Sequence, residues 1–229
     1  MFSRWRVAAG VVCLLLAPVG QLAQFLVSPM SQTDTPAGQV AAAAAHLPAM
    51  RLALVLDLPI LLVLPAGLYV GFVAGAGRSR LAAAGTAVTF ATALSAGYLL
   101  AQDVVVYEAA RQPDRGASVG LVAAYEGNNV VSALVVAYLI GHLVGFVLLG
   151  VALVRSRTVP VWAAIALCVW PIAEMAGEAS GAVVVAASGF TLLVIAFGTC
   201  AVALVRAGRS SEVPGQVSGP VGAATQAIA

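Results

Sequence analysis

Six long apolar stretches separated by short polar links run through the 229 residues. They fall at about 7–28, 52–76, 81–103, 128–154, 159–177 and 182–206, each close to the roughly 20 residues a helix needs to cross hydrocarbon. Their length decides the assignment without help from periodicity. The pattern predicts an all-α, polytopic bundle of six transmembrane helices forming one domain over residues 1–207. The opening "MFSRWRVAAGVVCLLLAPVG" has the basic start and apolar core of a signal peptide. Its apolar run continues through Phe25 to Val27 and further spans follow, so it reads as an uncleaved first span.

The links set the expected orientation. Arg4 and Arg6 precede the first span, Arg78 and Arg80 join spans two and three, Arg155 and Arg157 join four and five, and Arg206 and Arg209 follow the sixth. Only Arg51, Arg111 and Arg115 fall on the other side. The positive-inside rule then places both termini in the cytoplasm of a bacterial plasma membrane. The inner links "AGRSR" and "RSRTVP" are tight, and the outer ones are longer. In residues 29–50, "TDTPAGQVAAAAAH" predicts a short helix with Thr35 as N-cap, Pro36 in its first position and Pro48 marking its end. It is apolar enough to lie on the membrane surface or cap the bundle. Span three is expected to reach about residue 110, and span four to begin near Val119. A helix of about 35 residues would be about 52 Å long against a core of about 30 Å. It should protrude or break, and Gly127 beside Asn128 and Asn129 is the expected place. Residues 208–229 lack core-forming positions and read as a disordered cytoplasmic tail.

Composition agrees. The chain is 62% hydrophobic and 9% charged, with mean hydropathy +1.02. A soluble domain carries about 25% charged residues, so the first partner of this chain is the lipid bilayer. A net charge of +2 gives no reason to expect a nucleic-acid partner. All eleven basic residues are Arg, a bias of GC-rich coding that suggests an actinobacterial source. Cys13, Cys168 and Cys200 lie in apolar runs without CxxC spacing and read as small buried hydrophobes. The sequence has no P-loop, dinucleotide fingerprint or HExxH motif, and two His fall short of a three-His zinc site. No metal or cofactor is expected.

Candidate chemistry comes from where the acids fall. Asp34, Asp57, Asp103, Glu108, Asp114, Glu126, Glu174 and Glu178 belong to the outer side, and only Glu212 to the inner. An ionisable group within a membrane costs at least about 2.5 kcal/mol and ordinarily faces a bundle interior or watery cavity. Trp170, Glu174 and Glu178 recur every fourth residue on one helix face. Asp57 lies near Pro59 and Glu174 near Pro171, where a missing helical hydrogen bond frees a carbonyl. Glu126, Asn128 and Asn129 are expected at the rim of a polar pocket with Asp57, Gln102, Asp103, Glu174 and Glu178 as neighbours. His142 lies 16 residues beyond Glu126, about 24 Å along a straight helix and about 160° around it. It can therefore belong to the same site only if the helix breaks, and Tyr138, one turn earlier, is its nearer companion.

Each residue also has a plainer reading. Asp103, Glu108 and Glu178 could meet headgroups or water at span ends, and Asn128 and Asn129 could cap or break a helix. Glu126 could answer a helix dipole. His142 could be an interhelical hydrogen-bonding residue. Trp5, Trp162 and Trp170 fit interfacial or packing roles. Gly141, Gly145 and Gly150 suit close helix contacts.

The stretch "GHLVGFVLLGVALVRSRTVPVWAAIAL" (141–167) and the block "HLPAMRLALVLDL" resemble recurring blocks of small six-pass actinobacterial membrane proteins whose activity is not settled. The resemblance extends over most of residues 5–207 and implies topology only. The chain also shares size and acid placement with small polytopic terpene cyclases that use paired membrane carboxylates, by analogy and without a matching motif. Three functions follow as expectations. The first is an acid–base enzyme, of cyclase or isomerase type, on a lipophilic small molecule such as an isoprenoid. Glu126, Asp57 and Glu174 would be catalytic, and Asp103, Asn128, Asn129, Trp170, Glu178 and His142 would bind substrate. A carboxylic acid would protonate an alkene or epoxide, a second carboxylate would steady the cation, and Trp170 or a tyrosine would offer its ring face. The second is a proton- or cation-coupled transporter, for which a homodimer could supply a missing half. The third is an accessory or structural membrane protein without catalysis.

Overall fold

The computed structural model describes residues 4–30, 34–75, 77 and 79–210, and all regular structure among them is helical. The elements are α1 (Arg4–Val27), α2 (Pro36–Ala45), α3 (Leu47–Asp57), a 3-10 turn (Leu58–Leu62), α4 (Val63–Val73), α5 (Arg80–Ser95), α6 (Gly97–Arg111), α7 (Arg115–Glu126), α8 (Asn129–Ser156), α9 (Val161–Ser180) and α10 (Val183–Ser210). Six of the resulting rods are long and apolar enough to cross a membrane: α1, α3 through α4, α5 through α6, α8, α9 and α10. The protein is a multi-pass membrane helix bundle.

Proline and small polar residues account for the breaks. Span two starts at Leu47, earlier than the apolar run suggested, because Pro48 occupies the first turn of α3, where a missing N–H costs nothing. Pro48 therefore opens α3 and does not end the surface helix, which stops at Ala45. Pro59 interrupts the same span and turns five residues into a 3-10 segment directly after Asp57. Span three bends at Ala96, where Ala96 N bonds to Ala93 O and Leu99 N to Ala96 O. One turn earlier, Thr92 donates its hydroxyl to Val88 O at 2.8 Å. The expected break at Gly127 is present, with α7 ending at Glu126 and Asn128 capping α8. Gly181, at φ 68°, closes α9 in the left-handed conformation that glycine adopts without strain. The expected tail lies mostly at residues 211–229, outside the described residues, and α10 runs to Ser210, past the domain boundary placed at 207.

Thr35 caps α2 as the sequence suggests, its hydroxyl accepting from Gly38 N at 3.2 Å. This short helix lies over α6 and α7 and joins α3. Val40, Met50, Val106 and Val122 form a small apolar cluster there, roofing one end of the bundle. The main core lies toward the arginine-rich end, where Leu14, Val70, Leu149, Leu153, Phe197 and Leu204 pack together. Glycine sets the closest approaches: a Cβ at Gly141 or Gly145 would strike Thr92 or Thr89 of α5, and one at Gly150 would meet Cys168 and Ala164 of α9. Large apolar side chains such as Leu61, Phe72, Leu94, Ile140 and Ile172 stay exposed on the flanks, as expected where hydrocarbon is the solvent.

Candidate functional site

The bend at Ala96 creates the space for the site. α5 packs along α8, whereas α6, beyond the bend, leans on α2, α3 and α7. Between α6 and α8 lies a cavity of about 370 Å³, with α1, α3 and α9 contributing further walls. It occupies the arginine-poor half of the bundle.

Four carboxylates line it: Asp57, Asp103, Glu174 and Glu178. Asp57 is only 3% exposed. It stands where Pro59 ends α3, and Gln21 Nε2 donates to its Oδ1 at 2.8 Å. Gln24 Nε2 donates to Asp103 Oδ2 at 3.2 Å. Gln21 and Gln24, three apart, share a face of α1, so one helix presents two amides to two acids. Glu174 and Glu178 project one turn apart from α9. Phe25, Tyr98, Tyr138 and Phe190 complete the walls. The Tyr98 and Tyr138 rings meet edge to face at 6.1 Å, and those of Phe25 and Phe190 lie tilted at 38° with centroids 5.2 Å apart.

Below the cavity Glu174 meets His142, Oε2 to Nε2 at 3.2 Å. The two atoms are close but misaligned, so the contact is a close approach without a well-formed hydrogen bond. His142 is 1% and Glu174 7% exposed. The imidazole stacks on Trp170 with centroids 4.6 Å apart, and Tyr138 and Phe146 present their edges to it. Both His142 nitrogens, Glu174 Oε2 and Trp170 Nε1 are buried without a hydrogen-bond partner among the described residues. Leaving such groups unsatisfied costs about 1–3 kcal/mol each, so this cluster is held against a cost. Burying a comparable set of apolar side chains would be cheaper, which marks the cluster as a functional candidate.

The expected site residues divide. Asp57, Asp103, Glu174 and Glu178 come together around the cavity, with Gln102 beside them. His142 joins Glu174 at the floor and also touches Tyr138. Trp170 lies beneath, and one face of its ring is covered by His142 rather than turned to the cavity. Glu126, Asn128 and Asn129 do not line the cavity. Glu126 accepts from Gln102 Nε2 at 3.2 Å and reaches the site only through that amide. Asn128 is an N-cap whose Oδ1 accepts from Val130 N at 2.9 Å. Glu108 pairs with Arg111 at 3.0 Å on an exposed surface. Just above the span, the Tyr125 hydroxyl donates to Tyr98 O at 3.2 Å, and burial pushes its pKa above the ordinary phenol range.

Asn128→Ala should cost about 1 kcal/mol of stability, the usual worth of an N-cap, and leave ligand binding at the cavity unchanged. Asn128→Asp should be close to neutral. Thermal unfolding in detergent, run beside a binding assay, separates the two effects. A large loss of binding without loss of stability would return Asn128 to the site.

Gln21 and Gln24 are the residues that sequence reasoning missed. Two amides three apart in an otherwise apolar span, "GQLAQF", are the signal that could have found them. Compared with protein-family models, curated proteins and solved structures, the chain finds no match.

Proposed function

We propose that this multi-pass protein binds a lipophilic small molecule, an isoprenoid being one example, in the carboxylate and amide cavity and acts on it by acid–base chemistry. The observation that carries the proposal is the meeting of Glu174 with His142 at the floor of a cavity that also holds Asp57, Asp103 and Glu178. Acid and base lie together there in a setting largely closed to water, where proton transfer contributes most. A carboxylic acid, Asp57 or Glu174, protonates a carbon–carbon double bond or an epoxide oxygen of the substrate. A neighbouring carboxylate takes a proton from an adjacent carbon, so an isomerisation or cyclisation closes with no net gain or loss of protons or electrons. His142 holds or returns the proton of Glu174 and acts as a positioning residue. Tyr98, Tyr138, Phe25 and Phe190 are the rings whose faces could steady the passing cation. Glu126, first among the sequence-based candidates, acts in this reading only through Gln102.

The test begins with the purified protein in nanodiscs incubated with an isoprenoid extract. Retained molecules are identified by mass spectrometry. Wild type should retain a small lipophilic species and convert it to an isomer. Asp57→Asn and Glu174→Gln should retain it while losing at least about 100-fold in conversion rate, the usual worth of a general acid or base. A folded wild type that neither retains nor converts anything would sink the proposal.

A carrier is favoured by one separate feature. The polar cavity is one-sided, and the apolar core of Leu14, Val70, Leu149 and Leu204 closes the bundle toward the arginine-rich end. That is the shape of a carrier open to one side, and pH-dependent flux in proteoliposomes without conversion would select it.

Both readings place the termini in the cytoplasm of a plasma membrane, on the arginine distribution. With Cys13, Cys168 and Cys200 replaced by Ala, Asp114→Cys should react with an impermeant maleimide on intact cells. Thr158→Cys should react only after lysis. The reverse pattern would invert the topology.

A further inference from the structure

We infer that the ligand of this cavity carries a positive charge, an amine or quaternary ammonium on an apolar body; this rests on the reading of the cavity as a lipophilic-ligand site. The first support is the sign of the lining. Four carboxylates face the cavity, and no Arg or Lys lines it among the described residues. The nearest basic group, His142, already faces Glu174. Gln21 and Gln24 each donate one N–H to Asp57 and Asp103, which orients the acids without supplying charge.

The second support is independent of the acid count. Gln39 lines the cavity, is only 6% exposed, and its Oε1 has no hydrogen-bond donor among the described residues. A buried amide oxygen in that position is matched by an N–H or ammonium donor of a ligand. Protons alone would also neutralise the acids, but they need neither a cavity of about 370 Å³ nor its walls. That volume falls within the range of about 300–1,000 Å³ typical of small-molecule sites.

The walls give the third support. No three His, Cys, Asp or Glu side chains among the described residues stand close enough to hold a metal ion. Aromatic rings are interleaved with the acids, the mixture that recognises organic ammonium groups through ring faces and carboxylates together. Leu99, Val135 and Leu139 line the α6–α8 side, where the apolar body would lie. The cationic head is then placed toward Asp103 and Glu178.

Three probes of one carbon skeleton test the inference: geranylamine, geraniol and geranate. Their binding to the full chain in nanodiscs is measured by isothermal titration against empty nanodiscs, which removes simple partitioning. Geranylamine should bind at least about tenfold more tightly than geraniol, and geranate should bind most weakly. In Asp103→Asn and Glu178→Gln, two half-buried positions with near-isosteric changes, the preference for the amine should fall about threefold or more while geraniol binding persists. Geraniol binding as tightly as geranylamine would overturn the inference and leave the lipophilic-site reading standing. An amine preference unchanged in both variants would overturn its placement among these acids. No binding of any probe would overturn the underlying site reading as well.

Discussion

Replacing His142 by alanine is expected to destabilise the protein by about 3–5 kcal/mol, and removing Glu174 in the same chain should restore part of that loss. Two effects add in the single variant. The imidazole fills a fully enclosed position among Tyr138, Phe146 and Trp170, so truncation leaves a void and ends the stack on the indole. It also leaves Glu174, buried and without a hydrogen bond to Oε2, with no group of opposite character beside it. His142→Phe separates these effects, because it keeps a stacking ring but abandons Glu174. The double change His142→Phe with Glu174→Leu abandons neither and should lie closer to wild type than either single change. A double-mutant cycle by denaturant unfolding in mixed micelles measures the coupling, expected at about 1 kcal/mol or more. Misalignment of the 3.2 Å contact places it toward the low end of that range. Strict additivity would mean that His142 and Glu174 are merely neighbours, and the proton-holding role would go with it.

Much of the bundle was legible because each span reports its own length. The six rods, the break at Gly127 and the Thr35 cap follow from local chemistry: run length, adjacent Gly and Asn, and a hydroxyl before Pro36. The bend at Ala96 was not legible, since no proline marks it and threonine back-bonding is common in straight helices too. That bend decides the site. It swings α6 away from α8 and leaves the space into which Asp103 and Tyr98 face Glu174 and Tyr138. The sequence also ranked acids by depth along each span, which separated Asp57 and Glu174 from surface acids such as Glu108. Depth says nothing of azimuth. Glu126 was expected at the rim of the pocket with Asn128 and Asn129, but it accepts from Gln102 and lies outside the cavity lining. The distance argument that kept His142 apart from Glu126 was sound for one straight helix. It could not reveal that α9 would bring Glu174 to the same depth, because that juxtaposition depends on packing between helices.

Close packing of α9 on α10 sets where Glu174 and Glu178 sit, and Gly177 is the point at which it is least forgiving. A Cβ on Gly177 would lie 2.6 Å from Ala186 Cα and still nearer its backbone nitrogen, while one on Gly189 would lie 2.7 Å from Glu174 N. These obstacles are backbone atoms, so no rotamer change relieves them, and the helices themselves must separate. Without a strong hydrophobic force between membrane helices, close backbone approach at small residues supplies much of the association energy. Gly177→Ala should therefore destabilise by about 1–3 kcal/mol, and Gly177→Leu by more. Gly198 on α10 provides the contrast, because a Cβ there meets nothing within 4 Å. Gly198→Ala should be neutral or stabilising by up to about 1 kcal/mol, since it removes backbone freedom from the unfolded chain at no steric cost. Opposite signs at two glycines would tie the effect to the helix contact and not to helix propensity, which favours alanine at both. The same Gly177 variants should lose cavity binding, because Gly177 lines the cavity between Glu174 and Glu178. If Gly177→Ala instead matched Gly198→Ala in unfolding midpoint, α9 and α10 would be loosely held. The acids of α9 would then owe their position to the contacts of α9 with α8 instead.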